Sequence, residues 1–145
     1  MTSGAPGLVL PSYYSYYDSP VKLLATRDGG VCVWRVSRDD GGWREENDLF
    51  EEVSFARGGE IFKRTPAEFV QDVERYRADH LTGTGPVFAL YETVNAIIDA
   101  SRREGRSLTL EERALIAGIR RRTFVMFEDQ LRNFGDRAAD PGIAA

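Results

Sequence analysis

The period of the hydrophobic pattern changes near residue 65 of this chain. Before that point, short apolar and β-branched runs alternate with Gly-Gly pairs (Gly29-Gly30, Gly41-Gly42, Gly58-Gly59). After it, apolar positions recur at i, i+3, i+4 and i+7, the spacing of one helix face. Residues 21–26 (VKLLAT) and 31–37 (VCVWRVS) flank Arg27-Asp28-Gly29-Gly30, and an Asp-Gly between two such runs is a strong hairpin signal. In the second run Cys32, Trp34 and Val36 share one face and form the better core candidate. Trp43 begins another extended segment. Residues 43–55 fit a strand or a short helix equally well. Residues 60–64 (EIFKR) close a sheet of three or four strands, mainly antiparallel.

Three helices follow. Thr65-Pro66-Ala67-Glu68 combines an N-cap, a proline at the first helical position and a capping glutamate, and predicts a helix to about His80 that buries Phe69, Val70, Val73 and Tyr76. Pro86 opens a second helix, through Glu104 to a C-cap at Gly105, with Val87, Leu90, Tyr91, Val94, Ile97 and Ile98 in one row. The third, residues 109–134, opens with the capping box Thr109–Glu112. Leu115, Ile116, Ile119, Met126, Phe127, Leu131 and Phe134 fall on one side with Phe124 at its edge, a face of roughly half the circumference, wider than a surface helix needs. The expected fold is therefore α+β: a small N-terminal antiparallel sheet packed against three C-terminal helices. Residues 21–135 form one domain, preceded by a flexible tyrosine-rich segment (1–20) and followed by a disordered tail (136–145).

Composition narrows the function by exclusion. The 145 residues suffice for one core without staples. A single cysteine, Cys32, rules out an internal disulfide and fits a reducing compartment. No apolar run approaches a signal peptide's core or a membrane span, so the expected location is the cytoplasm. One histidine excludes a histidine-rich metal site, and no glycine-rich stretch has phosphate-cradling spacing. His80 belongs at a helix end, where an imidazolium is favoured. No catalytic, metal-binding or cofactor-binding set emerges.

What remains points to association. Residues 1–100 carry a net charge of −6 and residues 101–145 a net charge of +2, a dipole that suits a protein partner or a second copy of the chain. It is far from the basic footprint of a nucleic-acid binder. Candidate partner-binding residues are Tyr13, Tyr14, Tyr16 and Tyr17 in the N-terminal segment, Phe88 beside the polar stripe of the second helix, Arg102, Arg103 and Arg106 at the turn between the last two helices, and Arg120, Arg121 and Phe124 on the last helix. Arg113 and Arg120 are expected to stack on aromatics or pair with carboxylates. If Arg120 is buried and paired, the last helix is scaffold; if Arg120 and Phe124 are exposed together, it is a binding surface. The expected function is a non-catalytic interaction module of adaptor, regulatory or immunity type. The alternatives are a nucleic-acid-associated regulator using the arginines of the last helix–helix turn, and an enzyme with a carboxylate site, for which a pocket uniting Glu92, Asp99 or His80 with an arginine would speak.

Overall fold

A computed structural model describes residues 8–145. Strands β1 (Ser12–Tyr16), β2 (Ser19–Ala25), β3 (Val31–Val36) and β4 (Trp43–Glu45) lead through a 3-10 turn (Asn47–Leu49) to a short helix, α1 (Phe50–Ser54). Strand β5 (Ile61–Arg64) follows, then α2 (Pro66–His80), α3 (Pro86–Arg103), α4 (Leu110–Asn133) and a last 3-10 turn (Pro141–Ala144). The strands form one antiparallel sheet in the order β4-β3-β2-β1-β5. The α+β expectation holds, with five strands in place of three or four. The ambiguous 43–55 stretch divides into a strand and then a helix.

The fifth strand is the tyrosine segment. Ser12–Tyr16 pairs with β2 on one side and β5 on the other, so it is an inner strand and no flexible lead-in; residues 1–7 lie outside the described residues. Adjacent tyrosines hide its alternation. Tyr13 packs on the helix side with Phe69, while Tyr14 joins the opposite cluster with Val21, Val33 and Phe50. The β1–β2 hairpin turns through Tyr17 and Asp18, both at positive φ, the backbone that a two-residue primed turn demands.

Both faces of the sheet are covered. The Trp34–Val36 face lies under α2, α4 and the chain end, and the Val31–Val33 face lies under α1 and Leu10. A strand buried on both sides cannot show clean polar alternation, so one core face was expected where there are two. Cys32 is buried, as anticipated.

Helices α2 and α4 carry the capping boxes read from Thr65–Glu68 and Thr109–Glu112. Their contacts advance together, from Gln71 with Ala117 to Arg77 with Glu128, so the two helices run in the same direction. Helix α3 packs chiefly on α4 and scarcely meets α2. The buried face of α4 is rotated from the expected one. Phe124, placed at the edge by its spacing, is fully buried with Phe127 and Glu128, whereas Leu115 and Phe134 are 53% and 82% exposed. The sheet and α2 lie on the Phe124 side, and nothing among the described residues covers the ends of the Leu115–Phe134 row.

Gly41 fixes the approach of the β3–β4 connection to these helices. Its φ is +76°, and a Cβ there would sit 2.7 Å from the Phe127 ring and 2.8 Å from Leu81. The chain end also docks: Ala138 is buried, and Ala139, Ile143 and Ala144 pack on the main core, where a disordered tail was expected.

Two stability outcomes follow. Phe124→Ala should cost about 3–5 kcal/mol through the cavity it leaves, while Leu115→Ala should stay within about 0.5 kcal/mol as an exposed change; denaturant melts that ranked them the other way would refute this face. Gly41→Ala should lose roughly 2–4 kcal/mol from left-handed strain plus overpacking, read as a lower midpoint at unchanged slope.

Candidate functional site

Helix α2 puts two charged residues on its own apolar stripe. Glu74 and Arg77 lie among Val70, Val73 and the core, and both are fully buried. Arg77 donates from Nη1 to Glu74 Oε2 (2.9 Å), from Nη2 to Glu128 Oε2 of α4 (2.5 Å) and from Nε to the Gly41 carbonyl (3.0 Å). Its guanidinium lies 4.1 Å from the Phe127 ring centroid, with Trp43 and Phe124 at 5.8 Å. Burial works to lower its pKa, and the two carboxylates outweigh burial, holding it above the ordinary arginine value. Tyr91 of α3 donates its hydroxyl to Glu74 Oε1 (2.8 Å), and Trp43 donates its indole N–H to Glu128 Oε1 (3.0 Å). Burial also raises the Glu74 carboxyl, against the pull of Arg77.

A second cation completes the set. Lys22, fully buried on β2, stands 4.1 Å above the Trp43 ring and donates to the Ala138 carbonyl. Burial lowers its pKa to about 8, with Glu128 and Asp140 opposing. The chain end supplies further partners: Asp140 N–H donates to Glu128 Oε1, and Trp43 N–H to Asp136 Oδ2. Two cations and two carboxylates, from β2, α2 and α4, thus meet in one buried network that α3 and the C-terminal residues also join. The sequence reading missed it. Its trace was present, since Glu74, Arg77 and Glu128 occupy stripe positions one helical turn from Val70, Val73 and Phe124.

Above this network lies a groove. Because α3 leans on α4 and away from α2, a cavity of about 390 Å³ opens between α2 and α3, with α4 as its floor. The apolar lining is Tyr91, Val94, Ile98 and Ile119. Arg75 and Asp79 stand on the α2 wall, Asn95, Asp99 and Arg102 on the α3 wall, and Arg120 on the floor. Arg120 is half-buried, and its guanidinium has no hydrogen bond or ion pair among the described residues. Burial first, then the neighbouring Arg75 charge, push it below the ordinary arginine value, while Asp79, Glu74 and Asp72 pull the other way. Glu74 accepts from Tyr91 and Arg77 and makes no hydrogen bond to Arg120.

Of the residues singled out in the sequence, Arg102 and Arg120 come together in this groove. Arg103 and Arg121 are exposed elsewhere, and Arg106 is held by Glu104 and Glu112 at 2.9 and 2.7 Å. Phe88 is half-buried, edge-on to Tyr91 and against Gly83. Tyr13, Tyr14 and Phe124 are core residues. They cannot meet a partner, because inner-strand and inner-helix positions consume them. Tyr16 is half-buried and bonds Glu52, and Tyr17 is 48% exposed at the hairpin tip. The stacked and paired arginine proves to be Arg77, a residue the sequence reading passed over, in the role expected of Arg113 and Arg120. His80 closes α2, with Nδ1 2.9 Å from the Tyr76 carbonyl.

The chain matches no family model, no curated protein and no solved structure. Among the described residues no cluster of histidine, cysteine and carboxylate side chains is arranged to hold a metal ion, and no helix is long and apolar enough to cross a membrane.

The network makes two measurable demands. Arg77→Met should cost about 3–5 kcal/mol, since it leaves two buried carboxylates without their cation. For Lys22 the sign follows from its depressed pKa of about 8. Between pH 8 and its unfolded value near 10.5 the unfolded chain binds more protons, so this residue's contribution makes stability rise with pH, by on the order of 2–3 kcal/mol. Cys32 acts oppositely above about pH 9, and Tyr13, Tyr16 and Tyr91 above about pH 10, because burial raises their pKa values. Chemical denaturation from pH 7 to 10 should show this rise in the wild type and not in Lys22→Met; equal slopes would disprove it.

Proposed function

We propose that the protein is a non-catalytic interaction module, of adaptor, regulatory or immunity type, that binds another protein through the groove between α2 and α3. The observation that carries this reading is Arg120: a half-buried guanidinium with no hydrogen-bond partner among the described residues, on the floor of a cavity of about 390 Å³. A cation withdrawn from water without a partner is costly. A folded chain keeps such a group most readily where a second molecule supplies the missing acceptor. The volume falls within the range of built ligand pockets, and its lining combines an apolar strip (Tyr91, Val94, Ile98, Ile119) with charged walls.

The groove also unites Asp99 with Arg102 and Arg120, the arrangement asked of a carboxylate enzyme. Asp79 and Asp99 are exposed on its rim, however, and neither has the oriented hydrogen-bond partner among the described residues that acid–base catalysis needs. Nucleic-acid binding is disfavoured by the acidic balance and by the pairing of Arg106 with two glutamates. We place the module in the cytoplasm, where Cys32 stays reduced, and a second copy of the chain is the other partner that its charge dipole suits.

Affinity capture from the native cell extract, quantified by mass spectrometry, tests the reading with four baits. The wild type and Arg121→Gln should retain the same partner, and Arg120→Gln should lose it by about tenfold or more, the worth of one charged hydrogen bond. Asp99→Asn should retain it. Equal recovery by all baits would overturn the groove as the binding surface, and a chain that light scattering shows to bind only itself would make the partner a second copy.

A further inference from the structure

We propose that what enters the groove is a monoanionic carboxylate: the side chain of a glutamate or aspartate flanked by apolar residues on the partner protein. This rests on the reading of the groove as a partner-binding surface and names the chemistry it selects. The lining holds donors that make no hydrogen bond among the described residues: half-buried Arg120 on the floor, and Arg102 and Asn95 exposed on the α3 wall. The one buried carboxylate of the lining, Glu74, accepts from Arg77 and Tyr91 and makes no hydrogen bond to Arg120, and the Thr123 hydroxyl is turned to the Arg120 carbonyl. Asp79 and Asp99 line the groove too, but they are exposed on its rim and make no hydrogen bond to Arg120. The floor is therefore open to an acceptor from outside, and a planar carboxylate matches the fork of a guanidinium.

The charge of the anion is limited by the same walls. Asp79 and Asp99 stand on the rim opposite each other, and Glu74 lies beneath. Arg75 and Arg102 offset the charges of Asp79 and Asp99, and Arg77 offsets Glu74, so Arg120 is the one cation of the lining left over. A single negative charge balances Arg120, and the second charge of a phosphate finds no further cation to answer it. The apolar residues Val94, Ile98 and Ile119, with the Tyr91 ring, then need a hydrocarbon neighbour, which a Leu-Glu-Leu type of segment supplies and a bare inorganic anion does not. The cavity holds one or two side chains and is too small for a whole helix of about 10 Å diameter.

Nuclear magnetic resonance on the full chain tests this with four probes: acetyl-Leu-Glu-Leu-amide, its glutamine and phosphoserine counterparts, and free 4-methylpentanoate. The glutamate peptide should shift the Ile98 and Ile119 methyl signals and the Arg120 Nε–H signal in a saturable way. The glutamine peptide should bind about tenfold more weakly, and the phosphoserine peptide no more tightly than the glutamate one. In Arg120→Gln the response should vanish with the remaining spectrum unchanged, and Arg120→Lys should restore part of it, since the charge returns without the fork. Equal binding of the glutamine peptide would refute the carboxylate while leaving the groove as an apolar docking surface. Tighter binding of phosphoserine would refute the charge limit. Free 4-methylpentanoate binding as tightly as the peptide would make the occupant a small molecule and refute the partner side chain. If no probe moves a groove signal, the groove reading itself falls. The peptide comparisons use the wild-type chain, so they decide the matter even if the Arg120 variants fold poorly.

Discussion

Arg77 between Glu74 and Glu128 is the interaction on which the arrangement of this chain depends. An arginine with no exposed surface forfeits its hydration, and only full satisfaction of its donors makes that bearable. Three separate pieces of chain meet this demand: α2 itself through Glu74, α4 through Glu128, and the β3–β4 connection through the Gly41 carbonyl. Each can reach the guanidinium in one register only. A slide of α4 along α2 by one turn would take Glu128 out of reach of Arg77 and leave its carboxylate buried without that cation. The network therefore selects one packing over near alternatives, whatever its net contribution to stability. The aromatic rings of Phe127, Phe124 and Trp43 wall the same group from water, which strengthens its bonds and raises the cost of losing any one.

That selection reaches the surface. Tyr91 ties α3 to the network by a single hydroxyl on Glu74, low on the helix, and no comparable tie draws the rest of α3 towards α2. The helix follows α4 instead, and the space between α2 and α3 stays open. The groove is thus a consequence of where the buried polar groups finish their bonding. Its floor is firm because Glu74 and Thr123 beneath it are locked. Its upper walls carry long, exposed arginine and aspartate side chains that can adjust to an occupant.

The parts of this fold that were legible in the sequence are those that local chemistry decides. The capping boxes at Thr65 and Thr109, the Asp28-Gly29 hairpin and the helical rows marked the elements correctly, because each depends on a few adjacent residues. What escaped was set by distant ones. Ser12–Tyr16 has the composition of a loose end and becomes an inner strand only because β5, some fifty residues later, returns to its free edge. Phe124 lies at the margin of its helix's apolar arc, yet it is central in space because the sheet sits on that side. The residues 136–145 look featureless until Lys22 and Glu128 are seen to need the acceptor and the donor that they carry. For the groove, Arg102 and Arg120 were visible as candidates, but their meeting with Asp79 and Asp99 depends on the tilt of α3, which no local pattern encodes.

Two arginines on the helix side of the fold, Arg77 and Arg120, make the final point. In sequence Arg120 looked like the one that must be reconciled with an apolar face, and Arg77 attracted no notice. In the structure Arg77 is the deeper of the two and is fully answered by two carboxylates, a carbonyl and three rings. Arg120 is shallower and makes no hydrogen bond or ion pair among the described residues. Burial alone therefore does not separate scaffold from site. The separating quantity is the balance of donors and acceptors around the buried charge: where it closes, the charge fixes the fold, and where it is left open toward a cavity, the charge is available to another molecule.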